Sequence, residues 1–317
     1  MKNERLPEHL EFDLVRVTEA AALAASRFVG RDDKKAADQA AVDAMRRVLN
    51  SIEMSGLVVI GEGEKDEAPM LFNGERLGTG SVPEVDIAVD PIDGTTACAK
   101  GRENSIATVA LAPQGTMYNP GPFVYMNKIA VGPACAGVID IDKPVADNLK
   151  SISKALGKSL HELTVIVLDR PRHEELITQI RKAGARVRLI LDGDVMGAFL
   201  TAWPGSGVDV LMGIGGTPEG VLAASALRGL AGEIQGKLYP RDEEEKRRGR
   251  EMGHDFNALL TMDDLVSSSD VYFSATGITD GAILQGVDCE DDVATTHSIV
   301  IDGATGTLRE VITTHLL

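Results

Sequence analysis

The sequence predicts an α/β protein. Short, almost wholly apolar runs alternate with stretches of helical periodicity, and several of the apolar runs end in aspartate, glutamate or arginine. From Glu8 to Phe28 apolar residues recur at helical spacing and Gly30 follows as a natural stop, which predicts one long helix. A second helix is expected from about Lys34 to Glu53. LVVIGEGE and VDIAVDPID each read as a buried strand running into acidic residues, the pattern of a strand whose end faces a polar cleft. IATVALAP, from Ile106, reads as another strand.

The second half alternates more regularly. Strand LTVIVLDR, helix PRHEELITQIRKAG, strand RVRLILDGD, helix VMGAFLTA, strand VDVLMGIGG and helix TPEGVLAASALRGLAG follow in order, predicting parallel βαβ units. RDEEEKRRGRE, from Arg241, mixes both charge signs and reads as a solvated helix. VYFSATGIT, HSIVID and LREVITTH complete the expected strands. No repeat, low-complexity tract or flexible linker interrupts the 317 residues, which favours one compact, two-lobed unit over independent domains.

Composition narrows the function classes. A hydrophobic share of 44% and a charged share of 25% are those of an ordinary globular chain. Asp and Glu outnumber Lys and Arg by 48 to 32, and a net charge of −16 repels nucleic acid and anionic membranes. Cys98, Cys135 and Cys289 form no CxxC pair and are expected to be reduced and structural. The first residues are polar where a signal peptide would be apolar, and no apolar run approaches a membrane span, so a cytoplasmic location is expected.

The segment with most chemical content is Asp90-Pro91-Ile92-Asp93-Gly94-Thr95-Thr96, placed directly after a strand. Two carboxylates sit at the strand end, Pro91 fixes the local backbone, and Gly94 permits a tight turn into a helix start. That combination suits a phosphate bridged by metal ions; the same string also serves as a plain turn with a helix cap. Upstream, Gly61-Glu62-Gly63-Glu64-Lys65-Asp66-Glu67 places four carboxylates within six positions. Such crowding is costly unless cations are bound or the loop is fully solvated, and hard oxygen ligands suit Mg²⁺ or Mn²⁺. A P-loop is excluded because Glu62 and Gly63 stand where Lys and Ser or Thr are required. The glycine run from Gly213 ends in Pro218, which disfavours a dinucleotide site, and the six histidines make no HExxH motif.

Taken together, GEGEKDEAPML and DPIDGTT resemble the lithium-sensitive, metal-dependent phosphatase superfamily, and specifically the class II fructose-1,6-bisphosphatases. GRDDKKAAD, YMNKIAVG, LDRPRHEELI, LILDGDV, GIGGTPEGVLAA, YPRDEEE and FSATGITDG resemble family segments in the same order, so the likeness covers nearly the whole chain. It implies a layered α-β-α-β-α sandwich, with a metal-binding lobe over about 1–160 and an α/β substrate lobe over about 161–317. It implies Asp38, Glu62, Asp90, Asp93 and Glu219 as ligands of more than one Mn²⁺ or Mg²⁺ ion. Asp66 and Thr95 match the pair that orients and deprotonates the attacking water. Asp93, Gly94, Thr95, Tyr125, Arg170, Arg172, Asp192, Asp194 and Gly216 would contact the substrate. Lys34 is a weaker candidate, because Asp32 and Lys35 replace the glycine and asparagine usual in that block. Asp93 also departs from the glutamate common in DPxEGT, and Trp203 is followed by Pro204 rather than by the aspartate of inositol monophosphatases.

The activity implied is metal-dependent hydrolysis of fructose 1,6-bisphosphate to fructose 6-phosphate and phosphate, as in gluconeogenesis. Rival substrates are sedoheptulose 1,7-bisphosphate, alone or together with fructose 1,6-bisphosphate in a bifunctional enzyme, an inositol phosphate and a nucleotide bisphosphate. An inactive sugar-phosphate-binding regulator is the rival of another class. The expected partner is a small sugar bisphosphate, with neither nucleic acid nor membrane, and a homo-dimer or homo-tetramer is expected by analogy.

Overall fold

The computed structural model describes residues 5–61, 70–121, 123–251, 253 and 255–317. The elements run α1 (His9–Ser26), α2 (Lys34–Leu49), β1 (Ser55–Ile60), β2 (Arg76–Leu77), β3 (Glu84–Asp93), α3 (Thr95–Ala99), β4 (Ile106–Pro113), β5 (Tyr125–Val131) and α4 (Val145–Leu156). They continue β6 (Thr164–Leu168), α5 (Glu174–Ala183), β7 (Arg186–Ile190), α6 (Asp194–Ala202), β8 (Val210–Gly216), α7 (Thr217–Gly229) and β9 (Glu233–Leu238). The last are α8 (Glu243–Glu251), α9 (Met262–Leu265), β10 (Tyr272–Gly277), β11 (Asp288–Glu290), β12 (Val293–Asp302) and β13 (Thr307–Leu316).

These elements make two sheets. One runs β11-β12-β10-β4-β3-β1-β2 with β13 paired to β12, and the other runs β7-β6-β8-β5-β9. Three apolar clusters fix the layering. Leu10, Leu14 and Val17 of α1 and Met45 of α2 pack with Val85, Ile87 and Val109 on the outer face of the first sheet. Val195 and Phe199 of α6 and Leu222 and Leu227 of α7 pack between the sheets, against Ala110 and Phe273 on one side and Met126 and Ile166 on the other. Leu149 and Ile152 of α4 and Ile177 and Ile180 of α5 cover Ile129, Val165 and Val210 on the outer face of the second sheet. The result is the α-β-α-β-α sandwich expected from the sequence, each strand burying alternate residues on opposite faces.

The expected parallel pairing holds for β6 with β7 and with β8. Beyond them the second sheet turns antiparallel, because β5 inserts between β8 and β9. The chain therefore crosses between the sheets: residues 125–131 lie in the second, whereas residues 272–316 return to the first, so the sheets do not divide near residue 160. Helix α2 ends at Leu49, earlier than expected, where Asn50 caps it and Ile52 and Met54 turn inward as core. Strand β3 carries straight on through Asp93, with an irregularity between Asp90 and Asp93 where Pro91 has no N–H to give to β4. Among the described residues no helix is long and apolar enough to cross a membrane.

Candidate active site

The site forms where four strand ends meet. β3 ends at Asp93, and Gly94, at φ 93°, turns the chain into the short helix α3. In the second sheet β6 leads to Arg170, β7 to Asp192, and β8 to Gly216. The antiparallel register sets Tyr125, at the start of β5, opposite Gly216. A cavity of about 230 Å³ is lined by Asp90, Asp93, Gly94, Thr95, Tyr125, Arg170, Arg172, Asp192, Asp194, Gly216 and Glu219. Eleven of the residues expected from the sequence thus share one cavity. Asp38 lines a neighbouring cavity of about 270 Å³ with Lys35, Gln39, Val42 and Met70. Glu62 and Asp66 lie outside the described residues.

Each side chain has an identifiable anchor. Asp90 and Asp93 are buried; Oδ1 of Asp90 accepts from the Ile92 amide at 3.1 Å, and Oδ2 of Asp93 accepts from the Met196 amide at 3.2 Å. Thr95 Oγ1 donates to the Ile92 carbonyl at 3.1 Å. Lys34, exposed on α2, donates to Thr96 Oγ1 at 2.7 Å, which brings it beside α3. Arg170 faces Asp192 Oδ1 at 3.7 Å. Arg172 donates from Nε and Nη2 to the Ile214 carbonyl at 3.1 and 2.8 Å, while its guanidinium lies 5.2 Å from the centre of the Tyr125 ring. The structure therefore fixes Arg172 to β8 and to an aromatic face at once.

Two residues that the sequence reading did not single out support these groups. Lys128, buried on β5, places its ammonium 2.7 Å from Asp194 Oδ2. His173, also buried, donates from Nδ1 to the Leu168 carbonyl at 2.7 Å and accepts the Ile214 amide on Nε2 at 2.8 Å, tying the end of β6 to the end of β8. A lone lysine in the apolar run YMNKIAVG was the available signal for the first. Nothing local distinguishes the second from a surface histidine.

Negative charge accumulates at the strand ends. Burial, then the neighbouring Asp194, pushes the Glu219 carboxyl up to about 7, with Lys128 pulling the other way. Burial, then Asp194 and Glu219, holds Asp93 well above the carboxylate range. Burial pushes Asp38 up to about 6, opposed by Lys34 and reinforced by Asp192. Oδ1 of Asp38 and Oε2 of Glu219 are buried without a hydrogen-bond partner among the described residues. Hard, partnerless carboxylate oxygens in a crowd of like charge fit divalent cations. Among the described residues no group of three acidic, cysteine or histidine side chains forms a metal cluster by itself.

An acid-rich cavity between two layered sheets, with arginines fixed at its rim, defines a phosphate-ester hydrolase. The chain belongs to the bacterial class II fructose-1,6-bisphosphatase family: residues 8–315 match the family described as bacterial fructose-1,6-bisphosphatase, glpX-encoded. It is 46% identical over 321 residues to fructose-1,6-bisphosphatase 1 class 2 of Escherichia coli K12, covering 97% of this chain and 95% of that protein. The class 2 enzyme of Shigella flexneri matches to the same extent. Among solved structures, an inositol monophosphatase from Anabaena (Nostoc) sp. PCC 7120 aligns at a TM-score of 0.32 with 14% identity, over 62% of this chain and 72% of that one. An extragenic suppressor from Pyrococcus furiosus aligns at 0.32 with 12% identity, over 61% and 70%.

Proposed function

We propose that this protein hydrolyses the 1-phosphate of fructose 1,6-bisphosphate, with Mg²⁺ or Mn²⁺ ions held by Asp38, Glu62, Asp90, Asp93 and Glu219. The observation that carries this assignment is the buried Oε2 of Glu219, without a hydrogen-bond partner among the described residues, in a cavity rimmed by Arg170 and Arg172; Asp38, whose carboxyl feels Asp192 of that cavity, carries a second such oxygen. When bound, the ions supply Lewis-acid polarisation of the phosphoryl group and lower the pKa of water. The protein's own groups do the rest. Thr95 orients the attacking water, and Asp66 accepts its proton, since a threonine hydroxyl is a poor base alone. Asp192 and Asp194 accept hydrogen bonds from sugar hydroxyls, while the arginine forks hold the non-reacting phosphate. Tyr125, Gly94 and Gly216 complete the walls.

The decisive variant is Glu62→Gln, which is expected to fold normally and to lose metal-dependent turnover; near-normal activity would overturn the ligand assignment. Phosphate release with Mn²⁺ from fructose 1,6-bisphosphate, sedoheptulose 1,7-bisphosphate and an inositol phosphate tests the substrate. We also assign a cytoplasmic location and a homo-dimeric or homo-tetrameric form, which cell fractionation and light scattering check.

A further inference from the structure

Lys128 is 2% exposed, yet it lies on the inward face of β5 beneath the cavity floor rather than in a charged interface. A lysine is almost never buried so fully without a partner that makes the burial worthwhile. Here there are two partners, and both belong to the candidate site. Nζ lies 2.7 Å from Asp194 Oδ2 and donates to the Gly216 carbonyl at 2.7 Å. Asp194 is the first residue of α6, and Gly216 immediately precedes α7, which carries Glu219. One ammonium therefore joins the start of both helices that pack between the sheets.

The backbone is shaped around that joint. A Cβ at Gly215 would fall 1.8 Å from Asp194 Oδ2 and 3.1 Å from Lys128 Cε. Only the bare glycine backbone lets the pair close against β8. Among the charges that reach Glu219, Lys128 is the cation set against Asp194 and Asp192.

We propose that Lys128 is a positioning residue for sugar recognition: through its ion pair with Asp194 and its bond to the Gly216 carbonyl, it sets the orientation of the groups that meet the sugar hydroxyls. The inference rests on the assignment of Asp194 and Gly216 to substrate above. Because the ammonium acts through Asp194, the losses on changing either partner should coincide rather than multiply.

The test is a double-mutant cycle on the full-length protein, read by fructose 6-phosphate binding in calorimetry without metal and by KM and kcat with Mn²⁺. Wild-type binding and turnover establish the substrate assignment independently; if wild type neither binds nor turns over, that assignment fails rather than the role of Lys128. Lys128→Met is expected to weaken fructose 6-phosphate binding and raise KM by about tenfold or more, with a smaller change in kcat. Lys128→Met/Asp194→Asn should be no weaker a binder than Asp194→Asn alone, and Lys128→Arg should recover part of the loss. The double variant also removes the uncompensated charge, so it remains measurable if Lys128→Met alone does not fold. Binding and KM within twofold of wild type in Lys128→Met, or a double variant whose loss is the product of the two single losses, would overturn the proposal.

Discussion

The backbone amide of Thr96 donates to Oδ2 of Asp192 at 3.1 Å, linking the first turn of α3 to the turn that follows β7. The other oxygen of the same carboxylate faces Arg170 at 3.7 Å. One side chain thus registers the α3 end of the first sheet against the strand ends of the second. Asp192→Ala is expected to lower kcat/KM by about 10- to 100-fold and stability by about 1–2 kcal/mol. Asp192→Asn, which keeps an acceptor for Thr96 but loses the pairing with Arg170, should fall between. Steady-state kinetics and urea unfolding check both; kinetics of Asp192→Ala indistinguishable from wild type would show that the two sheets are registered by other contacts.

His173 gives the fold a pH dependence of definite sign. Burial pushes its pKa below the ordinary 6.5, and its two hydrogen bonds require the neutral ring with the proton on Nδ1. Below about pH 6.5 the unfolded chain takes up a proton that the native chain refuses, so this contribution is present above that pH and lost as pH falls. Asp38 and Glu219 act in the opposite direction, because their raised pKa values favour the folded state at low pH. The measurement is therefore a difference: between pH 7.5 and 5.5 wild type should lose more stability than His173→Phe. Parallel urea midpoints for the two proteins would remove His173 from the account.

How far the sequence reveals this site depends on how local each signal is. The strands that lead to Asp93, Arg170 and Asp192 are legible because apolar runs stop abruptly at charge, and the strand-end rule then brings their tips together. Helix α4 is not among the elements that the sequence predicts, although Pro144 and Gly157 bracket an amphipathic stretch, and β9 is hidden by Gly236 and alternating polar residues. The order of the second sheet was not available from alternation alone. β5 enters it from residues 125–131, well before the regular βαβ pattern begins, so its antiparallel place beside β8 is a long-range fact. For the same reason Lys128 and Asp194, 2.7 Å apart, carry no sequence signal of their pairing.

Divalent metal should stabilise the protein through Glu219, and the uncharged analogue separates metal binding from mere packing. In chelator, Glu219→Gln removes a buried charge that Asp194 disfavours, so its melting temperature should equal or exceed that of wild type. With saturating MnCl₂ the wild-type value should rise, by roughly 2.7 kcal/mol of stability at a hundredfold excess over Kd. The variant should show little of that rise. An equal Mn²⁺-dependent shift in both proteins would remove Glu219 from the ligand set.

Gly216 offers the sharpest separation of function from stability. Its backbone, at φ −69° and ψ 144°, is one that alanine adopts freely, so a methyl group brings no conformational strain. The methyl carbon would, however, fall 1.7 Å from Oε2 of Glu219 and 2.3 Å from its carboxyl carbon. The obstructed atoms are the far end of a flexible side chain, which can swing away, so the fold is expected to tolerate Gly216→Ala within about 1 kcal/mol. Glu219 cannot swing away and keep its place at the cavity. Turnover with Mn²⁺ should therefore drop by about 100-fold or more while the unfolding midpoint barely moves. Combining Gly216→Ala with Glu219→Asp, whose shorter side chain clears the methyl, should recover part of the lost activity. A Gly216→Ala enzyme with full turnover would mean that the carboxylate acts from a different position than the one seen against β8.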